Sequence, residues 1–275
     1  MTPRTAPTTA EEYDALLGVA RTVATEAATM VRERRREGVE VAATKSSATD
    51  IVTPVDQAAE KLIHERLAAL RPDDGFLGEE GGSSESATGV TWVVDPIDGT
   101  VNFLYGIPQY SVSVAASVDG RSVAGVVVDV ESGETFAATL GGGATCDGRP
   151  LRVRDDVPLE QRLVVTGYNY VPEVRARQAD AVAAMLRQVR DVRRLGSAAL
   201  DLCYLGAGRA DAYVEEGLHA WDRAAGGLVA SEAGATVEVR EGGGVGGQDL
   251  VIAAPSAGFA AFAELVRACG FLKRT

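Results

Sequence analysis

Apolar positions recur at Leu16, Ala20, Val23, Ala27 and Val31, the three-and-four spacing of one helix face. Thr9-Ala10-Glu11-Glu12 just before them has the form of a capping box. The spacing predicts a long amphipathic helix to about Arg36, with Gly38 able to end it. A second helix is predicted from Thr53, with Thr53 as N-cap, Pro54 at the first helical position and Asp56 in the first turn. Its apolar face is Val55, Ala59, Leu62, Ile63, Leu67 and Leu70, and His64 beside that face reads as a structural or surface residue. "GFLGEEGGSSESATG" (75–89) then reads as a loop. After it the period shortens. A buried run ends in Asp95, and "YSVSVAASV", "SVAGVVVDV" and "ETFAATL" alternate or run apolar, with turn residues between them. That pattern predicts an antiparallel meander.

From Arg162 the pattern changes again. "RLVVTGY" reads as a strand, Pro172 to Val189 as a helix, "SAALDLCYLGAG" as a short helix and "ADAYV" as a strand. "WDRAAGGLVASEAG" reads as a helix, "ATVEV" and "DLVIAAP" as strands, and Ser256 to about Cys269 as a closing helix. This alternation predicts α/β layering. "EGGGVGG" (241–247) reads as a hairpin-like loop. It lacks Gly-Lys-Ser/Thr and is not a phosphate-binding P-loop.

Composition narrows the class. The 275 residues are 46% hydrophobic and 24% charged, enough for a large core in one domain or two closely packed ones. No apolar run approaches a membrane span. "MTPRTAPTTA" has no apolar core segment, so it reads as a short disordered tail over 1–10 and not as a secretory signal. Cys146, Cys203 and Cys269 form no CxxC pair, and the simplest reading is reduced thiols in the cytoplasm. Two histidines are too few for a multi-histidine metal site. The net charge of −12 argues against generic binding to nucleic acid or anionic membrane. "RERRRE" reads as a solvated last turn that complements its helix dipole. An anionic substrate would need a cation that the protein itself does not supply.

Several acids sit where surface chemistry does not call for them. Asp95 and Asp98 crowd the end of a strand in "WVVDPIDGTVNF", Glu79 and Glu80 share a Gly-flanked loop, Asp50 precedes Val52-Thr53, and Asp222 lies in "HAWDRAAGG". Singly, each has an ordinary reading as a cap or a solvated acid. Strand ends and helix starts of an α/β fold converge on one crevice, where grouped carboxylates repel unless a cation joins them. Carboxylate and carbonyl oxygens without a Cys/His cluster select Mg²⁺ over Zn²⁺. Mg²⁺ on such a floor turns an acidic protein into a receptor for phosphate, with Gly99-Thr100 amides as an anion cradle. The chemistry expected is metal-assisted hydrolysis of a phosphate ester. The spacing Asp95-x-x-Asp98 differs from the D-x-D-G-T of haloacid-dehalogenase phosphatases.

The motifs "KSSATDIVTPVDQAAE", "LGEEG", "WVVDPIDGTVNF" and "GSAALDLCYLGAGRADAYVEEGLHAWDRAAG" run in order along nearly the whole chain. Together they resemble the inositol monophosphatase family of Mg²⁺-dependent, lithium-sensitive phosphatases, in its bacterial form. The resemblance implies a layered αβαβα sandwich of the inositol monophosphatase/fructose-1,6-bisphosphatase type. One such domain would span 1–275, with an N-terminal half over 11–150 and a C-terminal half over 151–275. Glu79, Asp95 and the Ile97 carbonyl would hold a first Mg²⁺. Asp95, Asp98 and Asp222 would hold a second, and Glu79 again a third, weaker one. Thr100 would orient the nucleophilic water with Glu79, while Asp50 hydrogen-bonds Thr100. Gly99 and Thr100 amides would bind phosphate, and Asp98, Gly196, Ser197, Ala198 and Glu215 would line an inositol pocket. Lys45 matches a family lysine at the edge of the site or is a plain surface residue. Asn102 would brace the turn; His219 and Trp221 read as structural. The substrate implied is inositol 1-phosphate. The superfamily also offers histidinol phosphate, fructose 1,6-bisphosphate and adenosine 3′,5′-bisphosphate. A homodimer and, less readily, a partner role in a transcription complex are further family expectations.

Overall fold

The computed structural model describes residues 6–38, 43–44, 51–242, 244 and 249–272. Helix α1 (Ala10–Glu37) starts on both arms of its capping box: the Glu12 amide donates to Thr9 Oγ1 (3.3 Å) and the Thr9 amide to Glu12 Oε2 (3.0 Å). Each such cap is worth about 1 kcal/mol. Gly38, at φ 103°, ends the helix as the sequence implies. Of the tail read over 1–10, residues 1–5 lie outside the described residues, and Pro7 is buried. Strands β1 (Ala43–Thr44) and β2 (Ile51–Val52) pair antiparallel and lead into α2 (Pro54–Leu70). Thr53 caps α2 by accepting from Val55 and Asp56 amides. Leu70, counted in its apolar face, is 46% exposed because α2 ends there and has nothing left to pack on.

The segment read as a loop contains two short strands, β3 (Gly75–Gly78) and β4 (Ser83–Ser84). Four glycine-bounded residues carry too little strand propensity to be legible alone. Pairing with β5 (Val90–Asp98) makes β3 a strand. After helix α3 (Thr100–Tyr105) the meander follows as expected: β6 (Ser111–Val118), β7 (Arg121–Asp129) and β8 (Thr135–Thr139), joined by a further hairpin, β9 (Gly143–Cys146) and β10 (Arg149–Pro150). The sheet order is β10-β9-β8-β7-β6-β5-β3-β4, antiparallel except for β3 beside β5.

A second sheet takes the rest of the chain: β11 (Leu163–Thr166), α4 (Pro172–Leu186), β12 (Asp191–Arg193), α5 (Ala198–Gly206), β13 (Ala212–Glu216), α6 (Ala220–Glu232), β14 (Ala235–Arg240), β15 (Leu250–Pro255) and α7 (Phe259–Cys269). Its order is β12-β11-β13-β15-β14. Helix α4 stops short of Val189, which turns into the core beside Met185 and Val164.

Side-chain alternation sorts the layers. Trp92 and Val94 of β5, Val112 and Val114 of β6 and Val126 and Val128 of β7 pack against α1 and α2. Val93, Ala115 and Val127, on the opposite face, pack against α5 and α6. Those two helices bury their other side on Val165, Tyr213, Val251 and Ala253 of the second sheet. That sheet's outer face, with Val164, Val214 and Ile252, is covered by α4 and α7. The result is the αβαβα order that the resemblance implies. Helix α6 lies unusually close to its neighbours. A Cβ on Gly125 of β7 would fall 2.9 Å from Ala225 Cα, and one on Gly226 would fall 2.6 Å from the Ala199 carbonyl oxygen of α5. Cys146, Cys203 and Cys269 are free thiols. No helix among the described residues is long and apolar enough to cross a membrane.

Candidate active site

The buried run of the sequence ends in Asp95, at the end of a strand. In the fold, pairing resumes: Asp95 faces Ser113 of β6 and Asp98 faces Ser111, three steps on one strand against two on the other. One extra residue is a β-bulge. It has a direct chemical result. Alternation puts Asp95 on the face of Val93, toward α5 and α6, and would put Asp98 on the opposite face. The extra residue restores parity, so both carboxylates point into the same layer. The Ile97 amide donates to Asp95 Oδ1 (3.0 Å) and ties the bulge down.

Asp98 meets the start of α5. It accepts from Ser197 Oγ (2.5 Å) and from the amides of Ala199 (2.7 Å) and Ala198 (3.2 Å). Asp222 arrives from α6, three residues past its N-cap His219, whose amide it accepts at 2.6 Å. It is therefore an in-helix arm of the cap, not the N-cap itself. Oxygens of Asp95, Asp98 and Asp222 all lie within 4.8 Å of one another. Glu79 follows β3, and its amide donates to the Val94 carbonyl (3.2 Å), which carries the parallel pairing one step further and sets Glu79 beside Asp95. The Glu79 and Asp95 carboxylates are themselves hydrogen-bonded.

The crowding acts on the acids around it. Burial first, then Glu79, Asp98 and Asp222, pushes Asp95 well above the usual carboxylate range. Burial raises Asp98 to about 6, against the opposing pull of the Ser197 hydroxyl and the Ala199 amide. Burial, then Glu79 and Asp98, raises Asp222 well above its ordinary value, against the His219 amide. A set of hard, crowded carboxylate oxygens fits a divalent cation of the Mg²⁺ type. The Ile97 carbonyl is engaged by the Thr100 hydroxyl at 3.1 Å.

Thr100 opens α3 behind Gly99, which adopts φ 101°. A side chain at position 99 would meet the Gln109 and Gly196 carbonyl oxygens at 3.0 Å. Glycine lets the three segments close around it. Asn102 braces the turn by donating to the Gln109 and Leu195 carbonyls, both at 2.8 Å. Asp50, read as the partner of Thr100, lies outside the described residues, as does Lys45. The carboxylate seen on Thr100 is Asp56, with Oδ1 3.0 Å from the hydroxyl. Its other oxygen takes the Thr53 amide and hydroxyl. Sequence reading recognised Asp56 only as a first-turn acid. The signal for more was its place on the buried face of α2, where a solvated acid does not belong.

These residues open onto a cavity of about 420 Å³, a usual size for a small-molecule site. Gly196, Ser197, Ala198 and Glu215 line it as expected. Tyr213 donates to Glu215 Oε2 (2.8 Å), and a Cβ at Gly167 would overlap the Glu215 carboxylate. Burial raises Glu215 to about 7, opposed by Tyr213 and Arg194. Sequence reading did not anticipate three parts of the wall: the Tyr168–Val171 loop, Arg194 and Asp201. His219 and Trp221 stack on each other at its edge, ring centroids 4.8 Å apart.

A family model described as the inositol monophosphatase family matches residues 12–270. An inositol-1-monophosphatase of Mycobacterium leprae is 50% identical over 255 residues, covering 86% of this chain and 88% of the relative. A protein of Pasteurella multocida named Nus factor SuhB is 38% identical over 224 residues, covering 81% and 84%. Among solved structures, Mycobacterium tuberculosis SuhB superposes with a TM-score of 0.82 at 43% identity, over 94% of this chain and 98% of that one.

Proposed function

Since this chain belongs to the inositol monophosphatase family, we propose that it is a Mg²⁺-dependent phosphate monoesterase whose preferred substrate is inositol 1-phosphate. The observation that carries the reading is the bulge in β5, which turns Asp95 and Asp98 together toward Asp222 at the mouth of a polyol-sized cavity. Glu79, Asp95, Asp98, Asp222 and the Ile97 carbonyl would hold two or three Mg²⁺ ions. Mg²⁺, when bound, supplies Lewis-acid stabilisation of phosphoryl oxygens and makes water a better nucleophile. The Thr100 hydroxyl, held by Asp56, orients the attacking water together with Glu79. Gly99 and Thr100 amides receive the phosphate. Glu215, held by Tyr213, and the Gly196–Ala198 turn fix the polyol hydroxyls. The cavity takes residues from both sheets, so the whole chain works as one unit. Lithium sensitivity, a homodimer and a cytoplasmic location belong to the same reading.

A panel of phosphate esters assayed with and without Mg²⁺ tests it. Inositol 1-phosphate is expected to give the highest kcat/KM, above histidinol phosphate, fructose 1,6-bisphosphate and adenosine 3′,5′-bisphosphate. Best turnover of histidinol phosphate would overturn the substrate and keep the chemistry, whereas no Mg²⁺-dependent turnover of any ester would overturn both. Relatives named Nus factor SuhB favour a transcription-complex role as a second reading. The complete carboxylate set favours catalysis over that role alone.

Stability gives an independent check. Asp98 is raised to about 6 and Glu215 to about 7, with Asp95 and Asp222 also raised, while unfolded carboxylates titrate near 4. The folded state therefore holds extra protons between these values. The stability this contributes is complete below about pH 4 and is lost as pH rises through 6 to 7. Mg²⁺ would replace the protons held by Asp95, Asp98 and Asp222, so its effect on Tm is expected to be larger at pH 8 than at pH 5.5. Calorimetric melts at both pH values measure it, and a Tm gain independent of pH would contradict the assigned acids.

A further inference from the structure

Two acids lie one turn apart on α2, Asp56 and Glu60, on a face otherwise made of Val55, Ala59 and Ile63. Positions four apart on a helix share a face, so both point into the protein. Asp56 is fully buried and Glu60 is 7% exposed. A buried carboxylate needs donors. Asp56 has Thr53 and Thr100. Glu60 has the loop that carries Glu79: its Oε2 accepts the Glu80 amide at 2.7 Å and its Oε1 accepts the Gly82 amide at 3.0 Å.

The loop is built around that carboxylate. The Gly78 amide donates to the Gly82 carbonyl at 2.8 Å and closes the segment on itself. A Cβ at Gly78 would overlap the Glu60 carboxylate, and one at Gly82 would lie 2.9 Å from its Oε1. Side chains at either position would evict Glu60. Glu79 is thus fixed from both sides: its own amide holds the Val94 carbonyl of β5, and the next amide holds Glu60 of α2. We propose that Glu60 is a positioning residue that locks the Glu79 loop in its cation-binding conformation, so that α2 aligns Glu79 through Glu60 and Thr100 through Asp56. This deepens the proposed function and rests on the reading that Glu79 holds Mg²⁺.

The chemistry requires a carboxylate. Two amides donate to two oxygens, and glutamine would present an N–H to one of them. Supporting groups of this kind typically tune metal affinity 10–100-fold. In Glu60→Gln the dissociation constant for Mg²⁺, measured by calorimetry on the full chain without substrate, is expected to rise about tenfold or more. Amide hydrogen exchange at Glu80 and Gly82 is expected to accelerate in the same variant. Gly82→Ala, which crowds the carboxylate and leaves every charge in place, is expected to weaken Mg²⁺ binding in the same direction and supplies the test if Glu60→Gln does not fold. Folded variants with a lowered Tm, an unchanged Mg²⁺ affinity and unchanged exchange would overturn the inference and leave Glu60 a purely structural residue. Glu79→Gln separates the two claims. Weakened binding in Glu79→Gln with normal binding in the position-60 and position-82 variants overturns the positioning role alone. Normal binding in Glu79→Gln overturns the reading on which it rests.

Discussion

Asp98→Asn is expected to lower kcat/KM for the phosphate ester by about 10³-fold or more while leaving the protein folded. A loss of that size corresponds to about 4 kcal/mol of transition-state stabilisation. Asp98 meets two demands at once. It lies within 4.8 Å of Asp95 and Asp222 oxygens, and it accepts from the Ser197 hydroxyl and two α5 amides. Asparagine keeps one acceptor for α5 but loses the charge that a divalent ion needs. Without metal, the same change removes a buried, raised carboxylate from a like-charged group, so relief of repulsion offsets the lost hydrogen bonds. Steady-state kinetics across a Mg²⁺ titration, with Tm measured in parallel, separates the two effects. Near-normal Mg²⁺-dependent turnover in this variant would remove Asp98 from the site.

Thr100→Val carries the second large effect. The substitution keeps the shape and deletes one hydroxyl, which touches Asp56 Oδ1 at 3.0 Å and the Ile97 carbonyl at 3.1 Å. If that hydroxyl orients the attacking water, kcat falls about 10²–10³-fold, the scale of losing one aligned catalytic contact, while KM changes little. The buried Asp56 carboxylate loses a donor, at a cost of about 1–3 kcal/mol. Thr100→Ser restores the hydroxyl and is expected to recover most of kcat. A Thr100→Val enzyme whose loss lies wholly in KM would make Thr100 a phosphate-binding residue and not a water-orienting one.

What the sequence disclosed follows the reach of its signals. A capping box for α1, an N-cap and first-turn proline for α2, and apolar spacing in both located these helices to within a residue or two, because these are local, cooperative patterns. The meander was legible because both faces of β5, β6 and β7 are covered, giving long apolar runs. Strands β3, β9, β10 and β12 were not, since each is four residues or fewer and exists through its partner. The site divided in the same way. Asp95, Asp98 and Asp222 stood out as acids in apolar or small-residue surroundings. The bulge that aligns the first two did not, because its only mark is a register shift against β6. Asp56 and Glu60 passed as ordinary helix acids; their partners, Thr100 and the amides after Glu79, are 20 to 44 residues away and meet them only in the fold.

The glycine contacts of α6 have a consequence outside its own packing. Asp222 rides on that helix, and Asp98 is held by the start of α5. How far apart these acids stand is therefore a stack of thicknesses: β7 to α6 at Gly125 and Ala225, then α6 to α5 at Gly226 and Ala199. At each contact the glycine has no room for a side chain of its own. In machining language, the clearance of the site is set by two parts ground to zero, and a single methyl at either acts as a shim. Tuning such a centre would not start at its ligands. Positions 125 and 226, which do not line the cavity, are where the spacing between carboxylates would be adjusted, and they would look neutral to any survey confined to the cavity wall.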